Sequence, residues 1–265
     1  MAIRNNSNIK SSRGRKSAIF RLIPIAAAVV VCGAVWQAVA GFAGMPAFIF
    51  PGPLAVAGRL GAVLADGTLV RHALFTLSEV LAGMAAGVGA AAMLGYLLGK
   101  SRLAEQILAP YIVATQAIPV AAIAPLLFIW LGSGFASKAL ICALIVFFPV
   151  LVNTVIGLRS VSEDLRELMR SLGATRWQNF RLLELPAALP ILLGGLKIGA
   201  TLSVIGAVVG EFIAPDRGLG FLISVARGQY DTALVFVGVF ALIAMALGLY
   251  GMVAWAESRL TKWRG

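Results

Sequence analysis

"GYLLGKS", residues 95–101, decides how this chain is read. As a phosphate-binding loop it would make the chain a nucleotide hydrolase. As the wet end of an apolar helix it makes the chain a membrane protein. A P-loop needs G-x-x-x-x-G-K-[ST], so that successive backbone N–H groups wrap the phosphates, and it must follow a strand and open a helix. Gly95 and Gly99 have only three residues between them, the position of the required glycine is Leu94, and an apolar run from Leu77 to Leu98 covers the stretch. Spacing and context both fail, so the chain is not its own motor. The same two glycines form G-x-x-x-G, which lets helix backbones approach closely, and Lys100 becomes an interfacial anchor. Gly83/Gly87, Gly195/Gly199 and Gly206/Gly210 repeat the spacing and predict a packed helical bundle.

Composition agrees. Of 265 residues, 60% are hydrophobic and 12% charged, with mean hydropathy +0.94. A soluble domain carries about 25% charged residues. The fold class is therefore all-α, a polytopic membrane protein. A net charge of +11 would point to nucleic acid in a soluble chain. Here the basic residues lie between apolar runs, so they set orientation in lipid, and no nucleic-acid partner is expected. Cys32 and Cys142 sit inside apolar runs and His72 lacks ligand-like neighbours, so no disulfide, metal or cofactor is expected.

About 20 apolar residues cross a hydrocarbon core of about 30 Å. Six stretches qualify: 22–43, 77–99, 106–131, 137–157, 187–210 and 233–255. Together they make a six-span domain over 22–257, between a basic tail of residues 1–21 and a short tail of 258–265. Pro119 and Pro125 should kink or break the third span. Lys and Arg number six before the first span, two after the second, five after the fourth and three at the end, against five on the other side. The positive-inside rule then puts both termini in the cytoplasm. The basic start followed by apolar residues also resembles a secretory signal, but the run is longer than such a signal and five spans follow, so a retained helix is expected. The outer segment 44–76, with its Pro-Gly-Pro turn, is expected to lie along the outer surface.

The informative loop is "LRSVSEDLRELMRSLGATRWQNFRLLELPAALP", residues 158–190. Ser160 with Glu163 fits a capping box, and Leu165, Leu168, Met169 and Leu172 recur at helical spacing. Gly173 sits where a C-terminal cap belongs. Thr175 with Gln178 fits a second capping box, and Trp177, Phe180 and Leu183 follow as apolar anchors. Pro186 and Pro190 mark the return to the membrane. Periodicity alone leaves two readings of this helix–turn–helix: an amphipathic hairpin on the bilayer surface, or a docking element for a cytoplasmic partner.

Glu167, Gly173, Leu183, Leu185 and Pro186 stand in the register of the EAA loop, whose pattern is E-A-A, three residues, G, nine residues, I-x-L-P. In this chain the two alanines are Leu168 and Met169, and the isoleucine is Leu183. "AIPVAAIAPLLFIWLG" (117–132), "FFPVLVNTVIGL" (147–158) and "GEFIAPDRGLGFLI" (210–223) extend the likeness over about residues 50–257. The chain thus resembles the binding-protein-dependent ABC importer permeases of the nitrate/taurine/alkanesulfonate branch. "FIWLGSGFASKALI" and "FFPVLVNTVIGL" look closer to riboflavin and vitamin-precursor permeases than to sulfonate ones.

The resemblance implies a bacterial inner-membrane permease, itself no enzyme and without cofactor. It would pair with a second copy, be driven by cytoplasmic ABC ATPase subunits and be fed by an extracytoplasmic binding protein. Glu167, Leu168, Met169, Arg170 and Gly173 would form the coupling helix in the ATPase cleft, followed by Leu185 and Pro186. Arg170 and Arg176 would pair with acids on the ATPase, or else form a solvated face. The branch's solutes include sulfonates, taurine, nitrate, thiamine pyrimidine precursors and riboflavin.

Charges within spans give the candidate pathway residues. Lys197 lies eleven residues past Pro186, about 16 Å along a helix. It is either a pathway residue attracting a polar or anionic solute, or a lysine that snorkels or pairs structurally. Glu211, at the far end of the same helix, is a gate, a loop cap or a solvated acid. Gln116 is a third polar candidate. Used as coupling groups, Lys197 and Glu211 would instead make an ion-driven secondary transporter, which leaves the capped inner hairpin unexplained.

Overall fold

The computed structural model describes residue 28, residues 30–41, residue 46 and residues 48–261. Among these residues every regular element is helical. In chain order they are α1 (Val30–Gly41), α2 (Pro53–Ala65), α3 (Thr68–Lys100), α4 (Arg102–Gln116), α5 (Val120–Leu131), α6 (Phe135–Arg159), α7 (Glu163–Ser171), α8 (Arg176–Asn179), α9 (Leu185–Ile213), α10 (Leu219–Gly228) and α11 (Thr232–Leu260). A π-helical turn, Phe180–Glu184, joins α8 to α9.

Local chemistry sets the boundaries. Ser101 is extended and so ends α3, and its hydroxyl accepts from the Ala104 N–H at 3.2 Å to start α4. Pro119 is the N-cap of α5, and the break it creates turns α4 and α5 by 91°. Asp231 caps α11 by accepting from the Leu234 N–H at 3.0 Å, and its carboxylate also pairs with Arg59 of α2 at 2.7 Å.

Among the described residues four helices are long and apolar enough to cross a membrane: Thr68–Lys100, Phe135–Arg159, the continuous run Arg176–Ile213, and Thr232–Leu260. The bent pair α4–α5 makes a fifth if it counts as one span. The expected span 106–131 is thus a sharply broken one. The expected span 22–43 falls partly outside the described residues, and α1 within it is short. The expected tail 1–21 lies wholly outside them, and residues 258–260 of the expected C-terminal tail continue α11.

The second span begins at Thr68 rather than 77. A hydropathy reading cuts it short because Arg71, His72 and Thr76 are polar, yet Thr76 is fully buried and hydrogen-bonded inside the bundle. The outer segment expected to end at 76 therefore gives its last nine residues to α3. Its earlier part, α2, buries Val56 and Val63 against Leu219 and Leu222 of α10 and Val237 of α11.

α6 is the central helix, and α3 and α9 lie against it. Both meet it through glycine. A Cβ built on Gly87 would stand 2.5 Å from the Ala143 carbonyl oxygen, and one on Gly95 would stand 2.7 Å from the Thr154 Cβ. From the other side, Cβ atoms on Gly195 and Gly210 would stand 2.7 Å from the Asn153 Cβ and 3.2 Å from the Lys138 Cγ. All four G-x-x-x-G pairs face α6, Gly99 against Leu158 among them. The glycines of "GYLLGKS" are a packing seam.

Candidate functional site

The loop after α6 folds as its pattern predicts, with one shift. Ser162, not Ser160, is the N-cap of α7, and the Ser160 hydroxyl instead donates to the Gly157 carbonyl at the end of α6. The expected Ser160–Glu163 box does not form because α6 runs one residue short of Ser160 and takes its hydroxyl. Glu163 and Asp164 occupy the first turn of α7, where the helix dipole favours acids. At the far end Gly173 has φ +67°, its N–H bonds the Arg170 carbonyl at 3.0 Å, and the Ala174 N–H bonds that of Met169 at 3.0 Å. These two bonds are the Schellman pair that closes a helix with a left-handed residue. The Thr175–Gln178 capping box is present in full and opens α8.

α7 presents Leu165, Leu168 and Leu172 outward, at 46%, 53% and 72% exposure, so its apolar stripe has no cover. Glu167 is exposed and forms no side-chain hydrogen bond or ion pair among the described residues. Arg170 is exposed and paired with Glu163 at 3.4 Å. Met169 is half-buried. It lines a polar cleft of about 330 Å³ with Lys100, Arg166, Arg170, Arg176 and Asn179. Leu185 and Pro186 lie at the start of α9.

Beneath this hairpin sits a residue that pattern reading passed over. Glu184, the last residue of the π turn, is completely buried. Its Oε1 accepts from Lys100 Nζ and from Asn179 Nδ2 at 2.8 Å, and lies 3.6 Å from the Arg166 guanidinium. Arg166 also donates to the Leu158 carbonyl at 2.7 Å. Lys100, the interfacial anchor of the sequence reading, is thus one arm of an ionic hub around a buried carboxylate.

A second polar cluster lies at the other end of the bundle. Gly218 is the N-cap of α10, and the amides of Gly218, Leu219 and Gly220 need acceptors. The Gly218 N–H donates to His72 Nδ1 at 3.1 Å, the Leu219 N–H to Thr76 Oγ1 at 2.8 Å, and the Gly220 N–H to Glu211 Oε2. Thr76 Oγ1 in turn donates to Glu211 Oε1 at 2.6 Å. Glu211 is fully buried, so of its three expected roles the loop cap is the one its contacts describe. Gly218 has φ +110°, and any Cβ there would run into the Glu211 carboxylate. Beside it, Lys138 of α6 lies 3.5 Å from Glu79 of α3, both buried, with the ammonium 5.5 Å over the Phe75 ring. The signal for that pair was a lone acid and a lone base near the ends of apolar runs, where charges are costly and need partners.

Lys197 pairs with Glu257 of α11 at 2.5 Å and lies 5.9 Å from the Tyr250 ring centre. Gln116 is exposed at the end of α4, just before the 91° bend. The structure brings none of Lys197, Glu211 and Gln116 together.

Residues 83–262 match the family described as binding-protein-dependent transport system inner membrane component. A riboflavin transport system permease protein of Chloroflexus aurantiacus is 47% identical over 228 residues, covering 86% of this chain and 85% of that protein. A formylaminopyrimidine transport permease protein of Halalkalibacterium halodurans is 33% identical, covering 87% and 91%. A taurine transport system permease protein of Escherichia coli is 36% identical, covering 80% and 76%. Among solved structures, an amino acid ABC transporter with histidines shares the fold at TM-score 0.61 and 17% identity, over 76% of this chain and 97% of that one.

Proposed function

The chain belongs to the binding-protein-dependent transport system inner membrane component family, and we propose that it forms the translocation pathway of a riboflavin importer. In this reading a separate ABC ATPase drives it and an extracytoplasmic binding protein delivers the solute. The observation that carries the docking half is α7: a helix closed by the Gly173 turn, in EAA register, whose leucine stripe is exposed and whose Glu167 has no side-chain partner among the described residues. A helix with that much uncovered apolar surface needs a cleft to enter. Glu167, Leu168, Met169, Arg170 and Gly173 enter it, and Leu185 and Pro186 carry the movement into α9. The loop and both termini then lie in the cytoplasm, in agreement with the positive-inside count.

A second copy completes the pathway. α4 buries none of its residues within one chain, and Tyr111 and Val113 are 67% and 65% exposed. Gln116 at the bend beside them is the residue placed to face solute between two copies. Lys197 and Glu211 serve structure in this reading, since each is committed to partners inside the chain. Riboflavin as the solute rests on the 47% identity to the Chloroflexus protein.

The test is co-expression with a candidate ATPase and binding protein in a riboflavin auxotroph that lacks its own uptake. Growth on low external riboflavin, lost on ATPase inactivation, is the expected result. Glu167→Ala and Gly173→Trp should release the ATPase from the detergent-extracted complex. Retention of the ATPase by both variants overturns the docking assignment. Growth on taurine or a pyrimidine precursor, but not on riboflavin, moves the substrate and leaves the permease.

A further inference from the structure

We infer that Glu184 is the positioning residue that makes the α7–α8 hairpin and the bundle move as one body, so that a pull on α7 is delivered to the spans rather than absorbed by the loop. The inference rests on the docking reading given above, and it concerns a residue outside the docking face.

The geometry supports it from four directions. Glu184 immediately precedes α9, Lys100 is the last residue of α3, Asn179 ends α8, and Arg166 stands in the middle of α7. One fully buried carboxylate therefore joins four elements. Arg166 adds a fifth by donating to the Leu158 carbonyl near the C-terminus of α6. A cation there also satisfies one of the carbonyls a helix end leaves free.

The hub has apolar support. Phe180 packs edge-on against Tyr96 of α3 with ring centres 5.4 Å apart, Trp177 lies 5.6 Å from Phe180, and Lys100 sits over Tyr96 at 5.6 Å. The π turn is part of the device. The Leu185 N–H reaches back five residues to the Phe180 carbonyl, and this wider turn carries Glu184 into the bundle. Such turns are rare and recur at functional sites.

The other Glu184 oxygen, Oε2, and Asn179 Oδ1 are buried without a hydrogen-bond partner among the described residues. Unpaired buried acceptors cost stability. Here that cost is set against two cations, Lys100 and Arg166, on the same carboxylate. The aromatic contacts between hairpin and bundle can slide, whereas an ion pair with fixed hydrogen bonds has one geometry.

The test uses the chain assembled with its ATPase in nanodiscs, with Cys32 and Cys142 replaced by alanine. Spin labels are placed at Asp164 in the first turn of α7 and at Met93, the latter 72% exposed on α3. The wild-type chain should give one narrow distance distribution, the same in nucleotide-free and ATP–vanadate-trapped states. Glu184→Gln should still bind the ATPase at wild-type stoichiometry, while its distribution broadens and shifts on trapping. Glu184→Asp should restore most of the wild-type behaviour. Arg166→Gln leaves the Lys100 and Asn179 contacts in place and should loosen α7 in the same way, so it decides the matter if Glu184→Gln does not assemble. A wild-type distance that changes between the two states overturns the inference, as does a variant distribution indistinguishable from wild type. Failure of the wild-type chain to hold the ATPase overturns the docking reading, and this inference with it.

Discussion

Replacing Gly87 by alanine tests the central seam, and Gly89→Ala on the same helix is its control. A Cβ at 87 would lie 2.5 Å from the Ala143 carbonyl oxygen, 3.0 Å from its Cα and 3.2 Å from its carbonyl carbon. All three are backbone atoms, so no side chain can rotate out of the way. A relaxed carbon–oxygen contact is about 3.3 Å, so α3 must back away from α6 by roughly 0.8 Å. A gap of that size forfeits a quarter to a half of the dispersion well of the atoms along it. Overpacking of this kind costs about 1–3 kcal/mol, and the upper half applies because Gly83, Gly95 and Gly99 share the seam. At 2 kcal/mol the folded-to-unfolded ratio falls about thirtyfold. At Gly89 nothing lies within 4 Å of the new methyl group. There alanine gains helix propensity, up to about 1 kcal/mol. The assay is unfolding of the purified chain in mixed micelles with increasing SDS, followed by tryptophan fluorescence. The midpoint should fall for Gly87→Ala and stay or rise for Gly89→Ala. Equal midpoints for the two variants would refute the close α3–α6 approach.

Two further outcomes follow from the buried polar contacts. Thr76→Val keeps the shape of the side chain but orphans the Leu219 N–H and takes a donor from Glu211. At about 1–3 kcal/mol for each buried group left unpaired, the SDS midpoint should drop further than for Gly87→Ala, and an unchanged midpoint would show that α10 is not held from α3. Lys197→Met removes the partner of Glu257, whose side chain is 27% exposed and so partly solvated, and the loss should be near 1 kcal/mol, as for partly exposed pairs. Under the proposed function, ATP-driven riboflavin uptake should survive in that variant, and its abolition with normal assembly would make Lys197 a pathway residue.

Fold class and loop grammar were legible because both rest on local rules. Apolar length marked the four long helices among the described residues, Gly173 and the Thr175–Gln178 box marked the hairpin, and the G-x-x-x-G spacing marked the faces that meet. Boundaries failed where tertiary contacts reverse the meaning of a polar residue. His72 and Thr76 read as the exterior of a span and are instead the caps of another helix, supplied from 146 and 143 residues away in sequence. Ser160 failed for a similar reason, since its hydroxyl had a nearer acceptor in the helix before it. Proline at 119 was read as a kink or break, and the chain turns by 91° there. Glu184 was invisible because it fills the unspecified position of the I-x-L-P pattern, and no local spacing relates it to Lys100.

The two polar clusters gain meaning from their positions. Glu184 and Glu211 bracket α9, 27 residues or about 40 Å apart along its axis. Each is tied to an opposite end of α3, through Lys100 and through Thr76. Between those ties, α3 and α9 press glycine faces against the two sides of α6. A glycine seam has no side-chain rotamers with which to absorb shear, and the tie at each end, ionic at Lys100 and a hydrogen bond at Thr76, opposes sliding. The three helices are thus packed and tied as one slab. α4 lies outside the slab with no buried residue, joined by a sharp bend to α5. Under the proposed docking of α7, a pull there would enter the slab at Glu184 and reach the loop before α10 at Glu211, and the hinge of a rocking motion would lie outside α3, α6 and α9.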